Sequence, residues 1–333
     1  MRIAVDAMGG DYAPHEAVLG AVEAAKEWSI PVILVGREEE LKKELASLEY
    51  PSDLISIVNA EETVGMNEHP ATAVRKKRNS SIVVANRLVK DGEADAIISA
   101  GNTGAAMAAS LLTLGRIPGV SRPAIAIPMP TVKGVTVLLD AGANADCDPE
   151  DLLQFAIMGS IYAEAVLKIT GPKVGLLNIG EEEEKGNRLT LATYGRLKES
   201  SLHFIGNIEG RDIPFGACDV LVCDGFVGNT ILKFTEGFAG ALFSLMKEAL
   251  LSTTRTKLGA LLIKPGLKSL KARMDYSEYG GAPLLGVRGV SIISHGSSNA
   301  KAFKNAILSG INAINEDVTG KIYKLIAANQ KKT

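Results

Sequence analysis

Six glycine-containing segments carry the residues that could do chemistry in this chain of 333 residues. Each follows a short apolar run, and most precede a helix-like stretch; they are D-A-M-G-G-D (6–11), S-A-G-N-T-G (99–104), D-A-G-A-N (140–144), N-I-G-E-E (178–182), C-D-G-F-V-G-N (223–229) and S-H-G-S-S-N (294–299). Glycine lets backbone N–H groups turn toward a ligand without a Cβ in the way, and a following helix N-terminus adds partial positive charge. Together the segments predict one composite site for an anionic, oxygen-rich ligand, and phosphate is the usual guest of such a site.

Taken singly, each segment also fits an ordinary tight turn between a strand and a helix. Asparagine favours such turns, and the segments and their surroundings contain Asn102, Asn144, Asn178, Asn207, Asn229 and Asn299. The phosphate interpretation therefore depends on the loops acting together.

Several other kinds of site are not indicated. The sequence has no G-x-x-x-x-G-K-[ST], no G-x-G-x-x-G and no H-E-x-x-H motif, so neither a standard nucleotide loop nor a zinc site is expected. Its three cysteines, Cys147, Cys218 and Cys223, form no disulfide framework and are expected to be reduced thiols. We expect no cofactor and no metal, and the net charge of −2 predicts no general affinity for nucleic acid.

The elements that must position the loops follow from apolar runs and helical spacing. Strands are predicted at 3–5, 31–35, 54–58, 94–99, 124–129, 135–139, 174–178, 203–206, 220–223 and 290–294. Helices are predicted at 14–28, 37–48, 81–90, 104–114, 150–168, 229–250 and 297–315, the last capped by Ser297 or Ser298.

This order predicts an α/β protein of three layers, α/β/α, with a mixed and mostly parallel sheet. The link P-T-V-K-G at 130–134 predicts one hairpin. We expect residues 1–333 to form a single two-lobed unit. The N-terminus enters a strand with no apolar signal region, so a soluble, cytoplasmic protein is expected.

Two basic surfaces stand out. Arg75, Lys76, Lys77 and Arg78 are consecutive, which fits a solvated face or the docking of an acidic partner or of phosphate. Residues 249–274 contain six basic residues and no acidic one, with leucines close to helical spacing.

Pro265 and Gly266 are predicted to break the second surface into two short helices, giving a protruding hairpin near 250–275 with leucines at its tip. Such a hairpin suits an anionic membrane, through Leu258, Leu261, Leu262, Lys264 and Lys268. An acidic helical partner or a dimer contact is the alternative.

The acidic run 181–184 is followed at once by Lys185. It is either a solvated loop or a device that brings Lys185 into the site while the glutamates face water.

Seven ordered motifs resemble the phosphate acyltransferases of the PlsX family across essentially the whole chain. They are I-A-V-D-A-M-G-G-D-Y-A-P (3–14), M-N-E-H-P-A-T-A-V-R-K-K-R-N-S-S (66–81), S-A-G-N-T-G-A (99–105), N-I-G-E-E-E-E-K-G-N (178–187), N-I-E-G-R-D-I (207–213), D-G-F-V-G-N (224–229) and H-G-S-S-N-A-K-A (295–302).

The resemblance implies transfer of a fatty acyl group from acyl carrier protein to inorganic phosphate, feeding phospholipid synthesis. It also implies an isocitrate/isopropylmalate-dehydrogenase-like fold, a homodimer, peripheral membrane association and a downstream membrane glycerol-3-phosphate acyltransferase of the PlsY type. A short-chain phosphotransacetylase using coenzyme A and a non-catalytic membrane adaptor stay open as alternatives.

For that chemistry we expect four catalytic residues. They are Lys185 for phosphate or the developing oxyanion, Asn229 for positioning, Asp224 for the proton and His295 as the alternative base. Phosphate is expected to contact Gly10, Asn102, Thr103, Gly104, Gly228, Gly296 and Ser297.

Overall fold

The computed structural model describes residues 1–273 and 280–330. Its strands are β1 (Ile3–Asp6), β2 (Val32–Gly36), β3 (Ile55–Asn59), β4 (Ala96–Ser99), β5 (Ala124–Ile125), β6 (Ile127–Thr131), β7 (Gly134–Leu139), β8 (Val174–Asn178), β9 (Phe204–Glu209), β10 (Val220–Val222), β11 (Ala282–Leu285) and β12 (Val290–Ile293).

The α-helices are α1 (His15–Trp28), α2 (Glu38–Ala46), α3 (Pro70–Lys76), α4 (Ser81–Lys90), α5 (Thr103–Thr113), α6 (Pro149–Ala165), α7 (Arg188–Glu199), α8 (Gly225–Leu251), α9 (Thr254–Arg273), α10 (Ala300–Asn315) and α11 (Val318–Gln330). A 3₁₀ helix covers Gly210–Phe215.

The strands form two sheets. The first has the order β3-β2-β1-β4-β12-β11-β5, and the second has the order β6-β7-β10-β8-β9. Pairing is parallel except where β11 meets β12 and β5 and where β6 meets β7. The predicted α/β class and the β6–β7 hairpin are confirmed, but the predicted strand 124–129 is divided at the buried Ala126, where the chain leaves one sheet for the other.

The first sheet is the middle of three layers because its strands are apolar on both faces. Ile3 and Val5 point to a core shared with α1 and α10, while Ala4 between them points to a core shared with α4 and α5. This alternation is the two-residue period of a strand.

The second sheet also has a helix packed against one of its faces. Val137 and Leu139 contact α6, whereas Leu138 faces a smaller cluster that contains Ile213 of the 3₁₀ helix. Each large aliphatic side chain buried in these cores contributes about 1.5–3 kcal/mol to folding.

Two local predictions are wrong. Pro265 does not end a helix, because α9 continues through it to Arg273, beside α8. The cap of α10 is Asn299 rather than Ser297 or Ser298, since the Asn299 side chain accepts the Ala302 N–H at 3.0 Å. The structure also has a helix, α3, within the segment 60–80, where the sequence indicated no regular structure.

Candidate active site

Three of the glycine loops meet at one edge of the first sheet. The strands β1, β4 and β12 are neighbours and parallel, so the loops after them leave the same edge. The Asp11 N–H donates to the Gly296 carbonyl at 2.8 Å, and the Ser294 N–H donates to the Ser99 carbonyl at 2.8 Å. Three of the six loops that were predicted to form one site therefore share this edge.

The Asp6 side chain links the loop after β1 to the loop after β4. Its carboxylate is buried and accepts the Ser99 hydroxyl at 2.7 Å and the Met8 N–H at 3.3 Å. Burial raises the pKa of Asp6, and hydrogen bonds from Ser81 and Ser99 oppose that rise. A Cβ at Gly9 would lie 2.7 Å from both the Asp6 Oδ2 and the Gly101 nitrogen, so only glycine permits this approach.

The second sheet supplies a matching pair of loops after β7 and β10. Asp140 accepts the N–H groups of Ile125, Ala143 and Asn144 at 3.0, 3.1 and 2.7 Å, while burial raises its pKa. A Cβ at Gly228 would lie 1.9 Å from the Asp140 carbonyl oxygen.

The expected contact of the Gly228 amide with phosphate is contradicted. That N–H already donates to the Asp224 carbonyl at 2.9 Å. Gly228 is therefore required by the packing of its loop against the loop after β7.

The helices α5, α8 and α10 begin at three of these loops, and their N-termini differ in charge. At α10, the Glu16 carboxylate accepts the Ala300 N–H at 2.6 Å. At α8, the Asp224 carboxylate accepts the Val227 N–H at 2.9 Å. An anionic ligand at either terminus would meet a carboxylate already in place.

The N-terminus of α5 is capped by a neutral group. The Asn102 side chain accepts the Ala105 N–H at 3.0 Å and donates to the Met66 carbonyl at 2.8 Å. Within the described residues, the N–H groups of Thr103 and Gly104 have no hydrogen-bond partner. This helix start therefore suits phosphate best of the three.

A cavity of ≈120 Å³ lies next to Thr103, between the two sheets and α8. It has one largely apolar side and a few polar groups, the usual composition of a small-molecule site. Its lining residues are Thr103, Ile125, Ile127, Pro128, Ala141, Asn229, Leu232, Lys233, Glu236, Gly281, Ala282, Ile293, Ser294 and His295.

Three of the predicted site residues, Thr103, Asn229 and His295, line this cavity. The His295 Nδ1 accepts the Ser297 N–H at 3.2 Å and lies 2.8 Å from the Ser297 hydroxyl. With Nδ1 accepting, the neutral ring carries its proton on Nε2. Ser297 thus orients His295, which differs from its predicted contact with phosphate.

Sequence reasoning missed Lys233, which is the lysine that lines the cavity. It lies one helical turn after Asn229, and Glu236 follows on the same face of α8. The spacing from Asn229 was the available signal, because a helix was predicted there. Within the described residues, Lys233 has no ion-pair partner.

Lys185 is not among the residues that line the cavity. It is exposed in the loop after β8, where its N–H donates to the Glu182 carbonyl at 3.1 Å and its carbonyl accepts from Asn178 at 3.0 Å. The glutamates 181–184 are also exposed, as predicted. The catalytic role of Lys185 stays a prediction.

Two of the three remaining predicted glycines lie against the segment 66–70. A Cβ at Gly104 would lie 2.7 Å from Pro70 Cγ, and one at Gly296 would lie 3.1 Å from Met66 Cε. Gly10 has φ +110° and faces the Gly296 carbonyl. All three glycines lie where the loops pack closely against neighbouring residues.

The basic segment 75–78 extends from that same region, since α3 begins at Pro70. Arg75, Lys76 and Arg78 are exposed. Lys77 is not available in the same way, because its ammonium donates to the Thr63 carbonyl at 2.8 Å and to the Glu68 carboxylate at 2.6 Å. Docking of a carrier protein on these residues stays a prediction for the other three.

The helices α8 and α9 form a hairpin with its turn at Ser252 and Thr253, which differs from the predicted pair of short helices divided at Pro265. Leu258, Leu261 and Leu262 are 62%, 66% and 84% exposed, and they lie along α9 rather than at the tip. Lys264 and Lys268 line a groove of ≈680 Å³ between the two helices. Among the described residues, no helix combines the length and apolarity that crossing a membrane requires.

The cysteines are poor candidates for a covalent intermediate. Burial raises the pKa of Cys147 and Cys218 to about 12 and raises that of Cys223 as well. Because the thiolate is the nucleophile, the raised pKa values disfavour attack by these thiols.

Comparison with known proteins identifies the family of this chain. Residues 1–321 match the model of the family described as "Fatty acid synthesis protein". The chain belongs to that family. A relative from Desulfitobacterium hafniense, named phosphate acyltransferase, is 64% identical over 308 residues, or 92% of each chain. One of the same name from Pelotomaculum thermopropionicum is 57% identical over 326 residues, covering 97% of this chain and 95% of its own.

Two solved structures of distant proteins share this fold. A phosphotransacetylase from Streptococcus pyogenes has a TM-score of 0.64 at 18% identity, with 95% of this chain and 94% of that one covered. A 4-hydroxythreonine-4-phosphate dehydrogenase from Klebsiella pneumoniae has a TM-score of 0.52 at 12% identity, with 94% and 99% covered. The expected dehydrogenase-like fold is confirmed, and this member of the fatty acid synthesis family is an acyltransferase.

Proposed function

We propose that this acyltransferase moves a fatty acyl group from the thioester of acyl carrier protein to inorganic phosphate. The proposal rests on the N-terminus of α5, where the capping side chain is neutral. This helix start borders the cavity that Asn229 and Lys233 also line. Relatives at 57–64% identity are named phosphate acyltransferase, which supports the same reaction here.

The reaction is a direct acyl transfer. An unprotonated oxygen of hydrogen phosphate attacks the thioester carbonyl carbon and forms a tetrahedral intermediate. The C–S bond then breaks, the phosphate proton passes to the leaving sulfur, and the products are acyl phosphate and the free carrier thiol. The raised pKa values of the three cysteines favour this route over an acyl-enzyme.

Phosphate is held by the N–H groups of Thr103 and Gly104 at the start of α5 and by the ammonium of Lys233. An oriented cation and backbone donors hold the dianion and lower the entropic cost of bringing it to the carbonyl. His295, oriented by Ser297, relays the proton; Asp224 is less suited because its carboxylate caps α8. Lys185 is assigned to the developing oxyanion if its loop closes over the bound substrates.

The carrier protein docks on Arg75, Lys76 and Arg78. Acyl carrier proteins are acidic, and these cations are exposed at the end of α3. Because α3 begins against Gly104 and spans about 10 Å at 1.5 Å per residue, a carrier bound there lies within reach of the phosphate site.

The hairpin serves a dimer contact and a membrane contact. The rings of Phe234 and Phe238 in α8 are stacked, with their centroids 5.8 Å apart, and the two side chains are 70% and 60% exposed. Such a surface suits contact with a second copy of the chain. The leucines and lysines of α9 suit an anionic membrane surface, where a glycerol-3-phosphate acyltransferase of the PlsY type takes up the acyl phosphate.

The test is a phosphate-dependent acyl transfer assay with purified protein, comparing acyl carrier protein thioesters with coenzyme A thioesters. The proposal expects acyl phosphate from the carrier thioester and a much lower rate from coenzyme A. A preference for short-chain coenzyme A thioesters would make the chain a phosphotransacetylase. No transfer from either donor by folded protein would favour a non-catalytic adaptor.

A further inference from the structure

The cavity between the two sheets is too small for a fatty acyl chain. Its ≈120 Å³ holds about four groups the size of a water molecule, at ~30 Å³ each, and a methylene group is of similar size. The alkyl chain of a fatty acyl group is much longer, and its exposure to water is unfavourable. Most of the chain must therefore leave the cavity along a neighbouring apolar surface.

One face of α8 continues from the cavity to the groove of the hairpin. Leu232 and Glu236 line the cavity, and Phe243 and Met246 line the groove. Side chains that are three, four or seven positions apart lie on one side of a helix, and the successive members of this set have those spacings. All four, and Ala239 between them, are partly buried. A partly covered path, with Glu236 as its one charged member among these five, therefore joins the cavity to the groove.

The groove suits an alkyl chain better than a polar ligand. Its volume is ≈680 Å³, and the described side chains that line it are aliphatic or aromatic, apart from four lysines and no carboxylate. Lysine stems are themselves apolar, and their ammonium groups extend into water. The turn of the hairpin closes the far end, so Phe243 and Leu267 lie at the end of the groove nearer the cavity.

The length of α8 between the cavity and the groove matches a long fatty acyl chain. From Asn229 to Phe243 the helix rises about 21 Å, at 1.5 Å per residue. An extended chain of 16 carbons is about 20 Å long, at ~1.3 Å per carbon for C–C bonds of ~1.5 Å. A chain of eight carbons is about half as long and ends near Glu236, short of the groove.

We infer that the alkyl tail of the acyl group lies along this face of α8 and that its last carbons enter the groove at Phe243. The carbonyl carbon stays in the cavity, beside the phosphate at the start of α5. This inference rests on the proposed acyl transfer. It gives the enzyme a preference for long chains, since only a long chain gains apolar contact in the groove.

The experiment measures kcat and KM of the full chain in detergent-free solution, with palmitoyl and octanoyl thioesters of acyl carrier protein and saturating inorganic phosphate. Phe243→Asp is expected to raise the KM for the palmitoyl thioester about 10-fold or more, because losing the burial of two methylene groups weakens binding by about that factor. Its kcat should stay within about 2-fold, since the tail is bound equally in the ground state and the transition state. The KM for the octanoyl thioester should not change.

Gly240→Phe blocks the same path without weakening the helix. Among the described residues, nothing lies within 4 Å of where a Cβ at Gly240 would be, and glycine is a poorer helix former than phenylalanine. Gly240 lies between Glu236 and Phe243 on their face of α8, so this variant should also raise the KM for the palmitoyl thioester alone. The matched control is Leu242→Asp, which places the same charge on a neighbouring residue that is 45% exposed and outside the groove. It should keep the wild-type ratio of the two KM values.

The inference is overturned if Phe243→Asp and Gly240→Phe both keep the wild-type ratio of the palmitoyl and octanoyl KM values. An unchanged ratio together with release of both variants from anionic liposomes would assign the groove to membrane lipid. An equal rise of both KM values, with dissociation of a dimer in size-exclusion chromatography, would assign it to a second copy of the chain. A wild-type protein that forms acyl phosphate from neither thioester would instead refute the proposed function.

Discussion

The Glu16 carboxylate accepts a hydrogen bond from the Ala300 N–H at 2.6 Å, although the two residues are 284 positions apart. It therefore places a negative charge at the N-terminus of α10, next to the loop 294–299. A carboxylate in this position stabilises the helix and repels a second anion. Of the starts of α5, α8 and α10, only that of α5 has no carboxylate accepting one of its first N–H groups, and this difference separates one phosphate site from two packing features.

Lys233 is expected to be the cation that holds phosphate. Replacing it with methionine, which keeps most of the side-chain volume, should lower kcat/KM for phosphate about 100-fold, since the transition state loses a charged partner. Steady-state kinetics with phosphate varied would measure the loss. Lys247→Met, on the same helix but outside the cavity, should behave as wild type. Near-normal kinetics of Lys233→Met, with a large loss in Lys185→Ala, would assign the charge to Lys185.

The hairpin is expected to bind anionic membranes through the exposed leucines of α9. Changing Leu258, Leu261 and Leu262 to glutamate should release the protein from anionic liposomes in a flotation assay, because these side chains lose apolar contact and gain charge repulsion. Acyl transfer in solution should persist, since the three residues lie outside the cavity.

The control for that experiment changes three exposed apolar residues outside the hairpin, Leu112, Val132 and Leu191, to glutamate. It should float with the liposomes as the wild-type protein does. Equal liposome binding by the hairpin variant and this control would remove α9 as the anchor.

The basic segment is expected to dock the acidic carrier. Changing Arg75, Lys76 and Arg78 to glutamate should raise the KM for the carrier thioester at least 10-fold at low ionic strength, and salt should narrow the difference. The KM for phosphate should not change. Equivalent reversals at exposed Lys26, Lys43 and Lys324 provide the comparison, and an equal effect there would show that net charge alone matters.

Much of the fold could be predicted from local patterns. The helix 81–90 and the strand 174–178 lie where the sequence placed them, because apolar periodicity and polar ends agreed there. The division of 124–129 between two sheets could not be predicted, because β5 and β6 have the same apolar character and only Ala126 separates them. Pro265 misled because a proline weakens a helix without always ending it, and α9 continues through it to Arg273.

The site was harder to predict than the fold. Asn102, Gly228 and Ser297 all carry the turn-and-glycine signature of a phosphate loop, yet only the hydrogen bonds show that Gly228 serves packing and that Ser297 orients His295. Glu16 gave no signal at all, because its partner N–H lies at the far end of the chain. Lys233 could have been predicted, since it lies on the same helical face as Asn229.

Phosphate binding at the start of α5 is tested most directly by two substitutions at Asn102. Aspartate and serine both cap helices well, and both lose the hydrogen bond from the Asn102 amide to the Met66 carbonyl. Only aspartate adds a negative charge beside the N–H groups of Thr103 and Gly104.

The measurement is the KM for inorganic phosphate in acyl phosphate formation by Asn102→Asp and Asn102→Ser. The site described here predicts a KM at least 10-fold higher for Asn102→Asp than for Asn102→Ser, because two like charges at close range repel by more than 1.4 kcal/mol, the equivalent of about 10-fold. Equal KM values for the two variants would contradict it and place the phosphate elsewhere.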